Sequence, residues 1–185
     1  MNLGIEKCTG DYVVFINDDD QWVLSNYLDL RKTLIMNRNT IILCKFREIG
    51  GDRRGVDYKP LKKLKRGSMP TSHQAQIWPL SVLLANHKFR TQLQFRFFGK
   101  TMNCRLKIAS DLDLFIRALD QYSFLKTNFL ISATSKNGFS HLNRGRMYFE
   151  VSAVLFSNTR RSLLGAITLY LSFWAIRVMR RENLK

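Results

Sequence analysis

Asp18, Asp19 and Asp20 stand in a row just past the apolar run YVVFI at 12–16, in a chain with fourteen acidic residues against thirty basic ones. Adjacent carboxylates repel one another unless a cation neutralises them, and a hard divalent ion held by one or two carboxylates plus substrate phosphates is the usual solution. That chemistry implies a diphosphate-bearing substrate. The plainer alternative is a solvated turn after a strand, because Asn17 and the aspartates favour turns. Asp111 and Asp113 form a second acidic group in SDLDLF, where Ser110, followed three residues later by Asp113 and an apolar stripe, reads as a capped helix start. For both acids, complementing the helix dipole is the alternative to chemistry. His73 and Gln74, in SHQAQIW, are polar candidates for contact with a diphosphate or an acceptor; a lone loop histidine also serves as a structural hydrogen-bonding group.

Periodicity gives the elements that must position these groups. The continuously apolar, β-branched run at 12–16 predicts a strand buried on both faces, and open α/β sheets bind ligands beyond the carboxyl ends of their strands, where the three acids lie. Leu24, Tyr27, Leu28, Arg31, Leu34 and Ile35 recur at spacings of three and four, which predicts an amphipathic helix ending near 37–39. TIILCKF at 40–46 reads as a strand, and the glycine-rich, basic stretch 50–67 as a mobile loop. Pro79 opens a short helix, so SHQAQIW lies on its approach as a loop or strand end. Residues 124–132 read as a strand and 141–156 as a helix. Strands alternate with helices, with no internal repeat and no second domain, which favours an α/β layer architecture.

The chain has 185 residues, 45% of them apolar and 12% aromatic, enough for one domain with a real core. Its net charge of +16 points to an anionic partner: nucleic acid, anionic lipid or a phosphorylated substrate. Cys8, Cys44 and Cys104 are odd in number and far apart, so neither a disulfide framework nor a zinc site is indicated, and a reducing setting is the default. The amino terminus carries no secretory signal pattern. Residues 162–176 contain no charge and are flanked by arginines; at fifteen residues the run is shorter than a spanning helix, which needs about 20.

Taken together, NLGIEKCTGDYVVFINDDDQW resembles the strand-and-acid segment of family 2 glycosyltransferases, inverting nucleotide-sugar enzymes of the GT-A fold. Asn2, Gly4, Ile5, Gly10, Asn17, Asp19, Asp20 and Trp22 occupy the family's places. Two later stretches resemble the same family in the same order: SHQAQIW is similar to the His-Gln segment of the subgroup that builds bacterial exopolysaccharide and lipopolysaccharide, and KIASDLDLFIRAL to its acceptor-side acidic motif. NGFS at 137–140 resembles the short element that follows.

The resemblance implies a partial GT-A, Rossmann-like mixed sheet with flanking helices. It further implies a magnesium or manganese ion held by Asp20, with Asp18 or Asp19 assisting, that bridges the diphosphate of a nucleotide sugar. Asp111 would be the general base toward the acceptor hydroxyl, with Asp113 as fallback; His73 and Gln74 would lie near the diphosphate. Residues 1–158 would be the carboxy-terminal portion of the transferase domain, and 159–185 a basic, apolar helix that associates with a membrane. The family's first strands and nucleobase contacts precede the segment at which this sequence begins, so Met1 is expected to be either an internal methionine of a longer gene or the start of a shortened protein. The missing portion is then expected as a separate chain, and the strand at 12–16 as an unpaired apolar edge. The acceptor would be a saccharide or a polyprenyl-linked saccharide. The five cations between Lys59 and Arg66, each worth about 1 kcal/mol near anionic headgroups, together with 163–178, would hold the protein at the inner face of the cytoplasmic membrane. The competing expectations are an inactive remnant of such an enzyme and a nonenzymatic nucleic-acid-binding module using Phe95, Phe97 and Phe98 for stacking; no nucleic-acid motif accompanies the second.

Overall fold

The computed structural model describes residues 1–24, 26–49, 69–85, 88–97, 99–135 and 143–158, together with Ile167 and Leu171. The whole of the basic loop 50–67, the NGFS element and nearly all of 159–185 lie outside the described residues, and so do the expectations that fall on them. In chain order the elements are α1 (Asn2–Lys7), β1 (Tyr12–Val14), β2 (Gln21–Trp22), α2 (Tyr27–Met36), β3 (Ile41–Glu48), a 3-10 turn (His73–Ala75), β4 (Gln76–Pro79), α3 (Leu80–Leu84), β5 (Gln92–Phe97), β6 (Lys100–Arg105), α4 (Ser110–Leu119), β7 (Phe124–Thr134) and α5 (Arg144–Asn158). They fall into two compact units between which the chain passes several times: Met1–Leu64, Ser68–Lys88 and Ala118–Lys136 make the first, and Lys65–Gly67, Phe89–Arg117 and Asn137–Lys185 the second.

The first unit is built on a five-stranded mixed sheet in the order β1-β4-β3-β7-β2. β4 runs antiparallel to both β1 and β3, and β3 runs parallel to β7, so β1, β3 and β7 share one direction. Their carboxyl ends, and the start of β4, therefore lie along the same edge. β4 and the first four residues of β3 are buried on both faces. Ile42 and Cys44 join Leu30 of α2, Ala75, Ile77 and Ile131 in one core cluster, while Ile41 and Leu43, on the other face, are fully buried as well.

The sequence expectation of such burial at 12–16 fails. β1 covers three residues, only Val13 is buried, and Ile16 is exposed, because β1 ends the sheet and has a paired neighbour on one side. α2 forms where expected, with its inward face shifted: Leu30 is buried and Leu24 and Leu34 of the expected stripe pack against the same core cluster, whereas Tyr27, Leu28 and Ile35 are exposed. Apolar residues lie on more than one side of this helix, so spacing alone cannot choose the face. The sheet does, and the Tyr12 hydroxyl secures the choice by donating to the Leu34 carbonyl at 2.6 Å. Burial, aided by Asp11, raises the pKa of that phenol.

In the second unit, β5 and β6 pair as an antiparallel hairpin whose last pair is Phe97 with Lys100. Gly99 has φ 76°, the left-handed conformation that two-residue hairpin loops require. Leu93 and Phe95 alternate with exposed Gln92, Gln94 and Arg96, and the Phe95 ring meets Phe156 of α5 edge-on, with centroids 5.6 Å apart. Phe95 is thus a core residue and cannot stack on a base as the nucleic-acid reading required.

Candidate active site

The three aspartates follow β1 in a turn closed by the Asp20 amide, which donates to the Asn17 carbonyl at 3.2 Å. Asp18 and Asp19 occupy the centre of that turn with exposed side chains, whereas Asp20 is half-buried. Its carboxylate is held at both oxygens. The Gln74 side-chain amide donates to Oδ2 at 2.6 Å, and the Ser135 backbone amide, just past β7, donates to Oδ1 at 3.3 Å. Gln74 is itself buried and oriented by the Ser72 hydroxyl.

Local structure explains why these groups converge. Asp20 follows the end of β1, Gln74 sits in the turn that precedes β4, and Ser135 follows β7, all at one edge of the sheet. β2 then pins the acidic turn by pairing Gln21 and Trp22 with Ala133 and Ser132. The pairing of β3 with β7 is irregular between Leu43 and Phe46, as is common where a strand end must be re-aimed beside a site.

Among the described residues no basic side chain forms an ion pair with Asp20, although the chain carries thirty Lys and Arg. Nor, among them, do three His, Cys, Asp or Glu groups come together as a self-sufficient metal cage. Each Asp20 oxygen accepts one neutral hydrogen bond and keeps lone-pair capacity for a further ligand. That donor set fits a hard cation bound by one or two carboxylates and completed by substrate phosphates, the mode typical of magnesium. His73 heads the 3-10 turn and is half-buried.

Asp111 and Asp113 are both in the second unit, in different surroundings. Asp111 is half-buried at the second residue of α4, where its Oδ1 accepts the Leu112 amide at 2.7 Å. Asp113 is completely buried. Arg90 donates to it through Nε at 2.8 Å and Nη2 at 2.5 Å, Arg117 through Nε at 3.0 Å and Asn158 through Nδ2 at 3.0 Å.

These partners set Asp113 apart from Asp111. It lies in the first turn of α4, where the Ala109 carbonyl accepts its amide at 3.0 Å, and both of its oxygens are engaged in a buried ion-pair network. One turn into the helix its side chain points inward, and a buried carboxylate must be paired. Sequence reasoning missed Arg90, Arg117, Asn158, the Ser135 amide and Glu150. Arg117, four residues after Asp113, was the one partner whose spacing gave a signal.

The buried thiols take no part in this chemistry. Burial pushes Cys44 and Cys104 each up to about 11, so both stay protonated near neutrality; Cys8 is exposed.

Residues 1–104, more than half of the chain, match the model of Glycosyl transferase family 2, and the chain belongs to that family. No curated protein matches its sequence. Among solved structures, S. aureus TarS 1–349 in complex with UDP-GlcNAc is similar over 91% of this chain and 49% of its own, at 13% identity and a TM-score of 0.54. The same fragment without ligand gives 14% identity and 0.52, and with UDP 13% and 0.52, each covering 47% of that chain. This chain thus spans about half the length of the structures it matches. At such identity the likeness is one of fold, and the mixed sheet with flanking helices is the GT-A arrangement.

Proposed function

We propose that this chain supplies the diphosphate-holding and acceptor-side groups of a glycosyltransferase. The reaction moves a sugar from a nucleoside diphosphate sugar to a hydroxyl of a saccharide or polyprenyl-linked acceptor, with inversion, in cell-surface polysaccharide synthesis. The observation that carries the proposal is the Asp20 carboxylate, oriented by Gln74 and the Ser135 amide at the strand-end edge of a family 2 fold, with no basic partner among the described residues. TarS is recorded with UDP and with UDP-GlcNAc, which makes a uridine diphosphate sugar the first donor to test.

In the proposed step the acceptor oxygen bonds to the anomeric carbon on the face opposite the diphosphate. The bond from that carbon to the diphosphate oxygen breaks, and the nucleoside diphosphate leaves with the electron pair. Asp111 takes the hydroxyl proton, a role for an ionised carboxylate at a helix amino terminus. Asp20, assisted by Asp18 or Asp19, would hold magnesium or manganese, whose charge offsets that gathering on the leaving diphosphate. His73 is assigned to the diphosphate side, and Gln74 acts through Asp20.

The reading extends to the membrane. The cations between Lys59 and Arg66 and the apolar, arginine-flanked segment 162–176 have the composition of a surface that docks on anionic lipid, at the cytoplasmic face where polyprenyl-linked acceptors are presented. Among the described residues no helix is long and apolar enough to cross a membrane.

Titration calorimetry with uridine diphosphate in the presence of manganese tests the core of the proposal. Binding is expected in the parent chain and not in Asp20→Asn. Equal affinity of the two proteins, or binding indifferent to manganese, overturns it.

A further inference from the structure

Among the described residues Glu150 is the most enclosed carboxylate after Asp113, with 1% of its surface exposed, and it lies 39 residues beyond Asp111 in sequence. Its Oε2 accepts three successive backbone amides, those of Lys107 at 2.8 Å, Ile108 at 2.7 Å and Ala109 at 3.1 Å. Its Oε1 accepts Arg146 Nε at 2.6 Å, one turn earlier on α5, and Arg146 Nη2 also donates to the Arg105 carbonyl at 3.4 Å. Three amides converging on one anion make a backbone concavity of the kind that binds phosphates elsewhere; here the chain fills it with its own side chain. The amides belong to the residues that lead into α4, and Asp111 is two residues past the last of them.

We propose that Glu150 is a positioning residue for Asp111. This deepens the glycosyl-transfer reading and rests on it. By gathering the amides of 107–109, the Glu150 carboxylate fixes where the chain stops being extended and where α4 begins, and so fixes the origin from which Asp111 is presented. A second bond, two turns further along α5, reaches α4 itself, where Asn158 Nδ2 donates to Asp113. Arg146, Glu150, Val154 and Asn158 recur every four residues, so a single face of α5 carries both attachments, and Asn158 is steadied by its own bond to the Val154 carbonyl at 2.8 Å.

Burial of Glu150 beneath three converging amides makes the clamp stiff. Glutamine cannot reproduce it, because one amide oxygen cannot serve both the three N–H groups and Arg146, and its NH2 would face a donor on one side or the other. A catalytic base displaced by about 1 Å costs on the order of 100-fold in rate.

The test uses the full chain with UDP-N-acetylglucosamine and manganese, following release of uridine diphosphate. Water then takes the place of the acceptor and its proton goes to Asp111. Glu150→Gln is expected to lose kcat by on the order of 100-fold at unchanged KM for the donor. In the same variant the amides of 107–109 should exchange faster with solvent, while those of β3 and β7 keep their protection. Arg146→Gln, at a half-exposed site where misfolding is not expected, should move kcat in the same direction by less. Parental kcat in Glu150→Gln, or parental kcat in Arg146→Gln should Glu150→Gln fail to fold, overturns the inference. A parent chain that neither binds uridine diphosphate with manganese nor releases it from the donor overturns the glycosyl-transfer reading itself, and the role of Glu150 falls with it. The two failures are told apart by whether the parent or only the variant behaves unexpectedly.

Discussion

Asp18, Asp19 and Asp20 occupy a turn at the edge of the first unit's sheet, exposed or half-buried and without a basic partner among the described residues. Asp113 and Glu150, in the second unit, are buried and closed in by arginines, an asparagine and backbone amides. Both arrangements come from a chain with about twice as many bases as acids. A carboxylate at the surface remains solvated and needs no internal cation, so it stays available to an external one; a buried carboxylate is tolerated only when it is fully paired. Exposure, more than residue type, separates the acids that can act on a ligand from those that hold the scaffold.

The largest test of that contrast is Asp113→Ala, which strands Arg90 and Arg117 without their shared partner and should cost about 3–5 kcal/mol in urea unfolding followed by circular dichroism. A loss comparable to that of a surface substitution would mean the buried network contributes nothing. Gln74→Ala sharpens the comparison from the other side, since a hydrogen bond to a charged group is worth about 1.5–3 kcal/mol. Manganese-dependent uridine diphosphate binding should weaken by roughly tenfold or more, with Asp20 itself intact.

The two buried thiols, one in each unit, give a smaller effect that should be shared. Their folded values of about 11 exceed the ordinary 9.0, so between pH 9 and 11 the unfolded chain gives up thiol protons that the folded chain keeps. Stability present below pH 9 is lost as pH rises through 11, and the fall should be shallower in Cys44→Ala than in the parent when unfolding midpoints are compared across that range. The smallest effect belongs to Asp18→Asn and Asp19→Asn, each expected within about 0.5 kcal/mol of the parent stability. Whichever of the two weakens uridine diphosphate binding is the residue that assists Asp20.

Much of this fold can be read from the sequence. The strands at 41–48 and 124–134, the helices at 27–36, 110–119 and 144–158, and the role of Pro79 just ahead of a short helix all follow from periodicity and local chemistry. The β5–β6 hairpin was also available, because Leu93, Phe95 and Phe97 alternate with polar residues ahead of Gly99; reading them as stacking aromatics hid a period of two. Burial at β1 and the buried face of α2 were not available. They depend on which strand lies beside β1 and which side of α2 meets the sheet, and no local pattern records either.

The sequence by itself determined that three acids would follow an apolar strand, that two more would open a helix, and that the chain belongs with family 2 glycosyltransferases. Only the tertiary structure decided what each acid does. Gln74 lies 54 residues from Asp20 and Ser135 lies 115; Arg90 lies 23 from Asp113 and Asn158 lies 45. A hydrogen bond needs its partners within about 3 Å, a distance set by how sheet and helices bring remote segments together. The spacing of residues along the chain does not contain it.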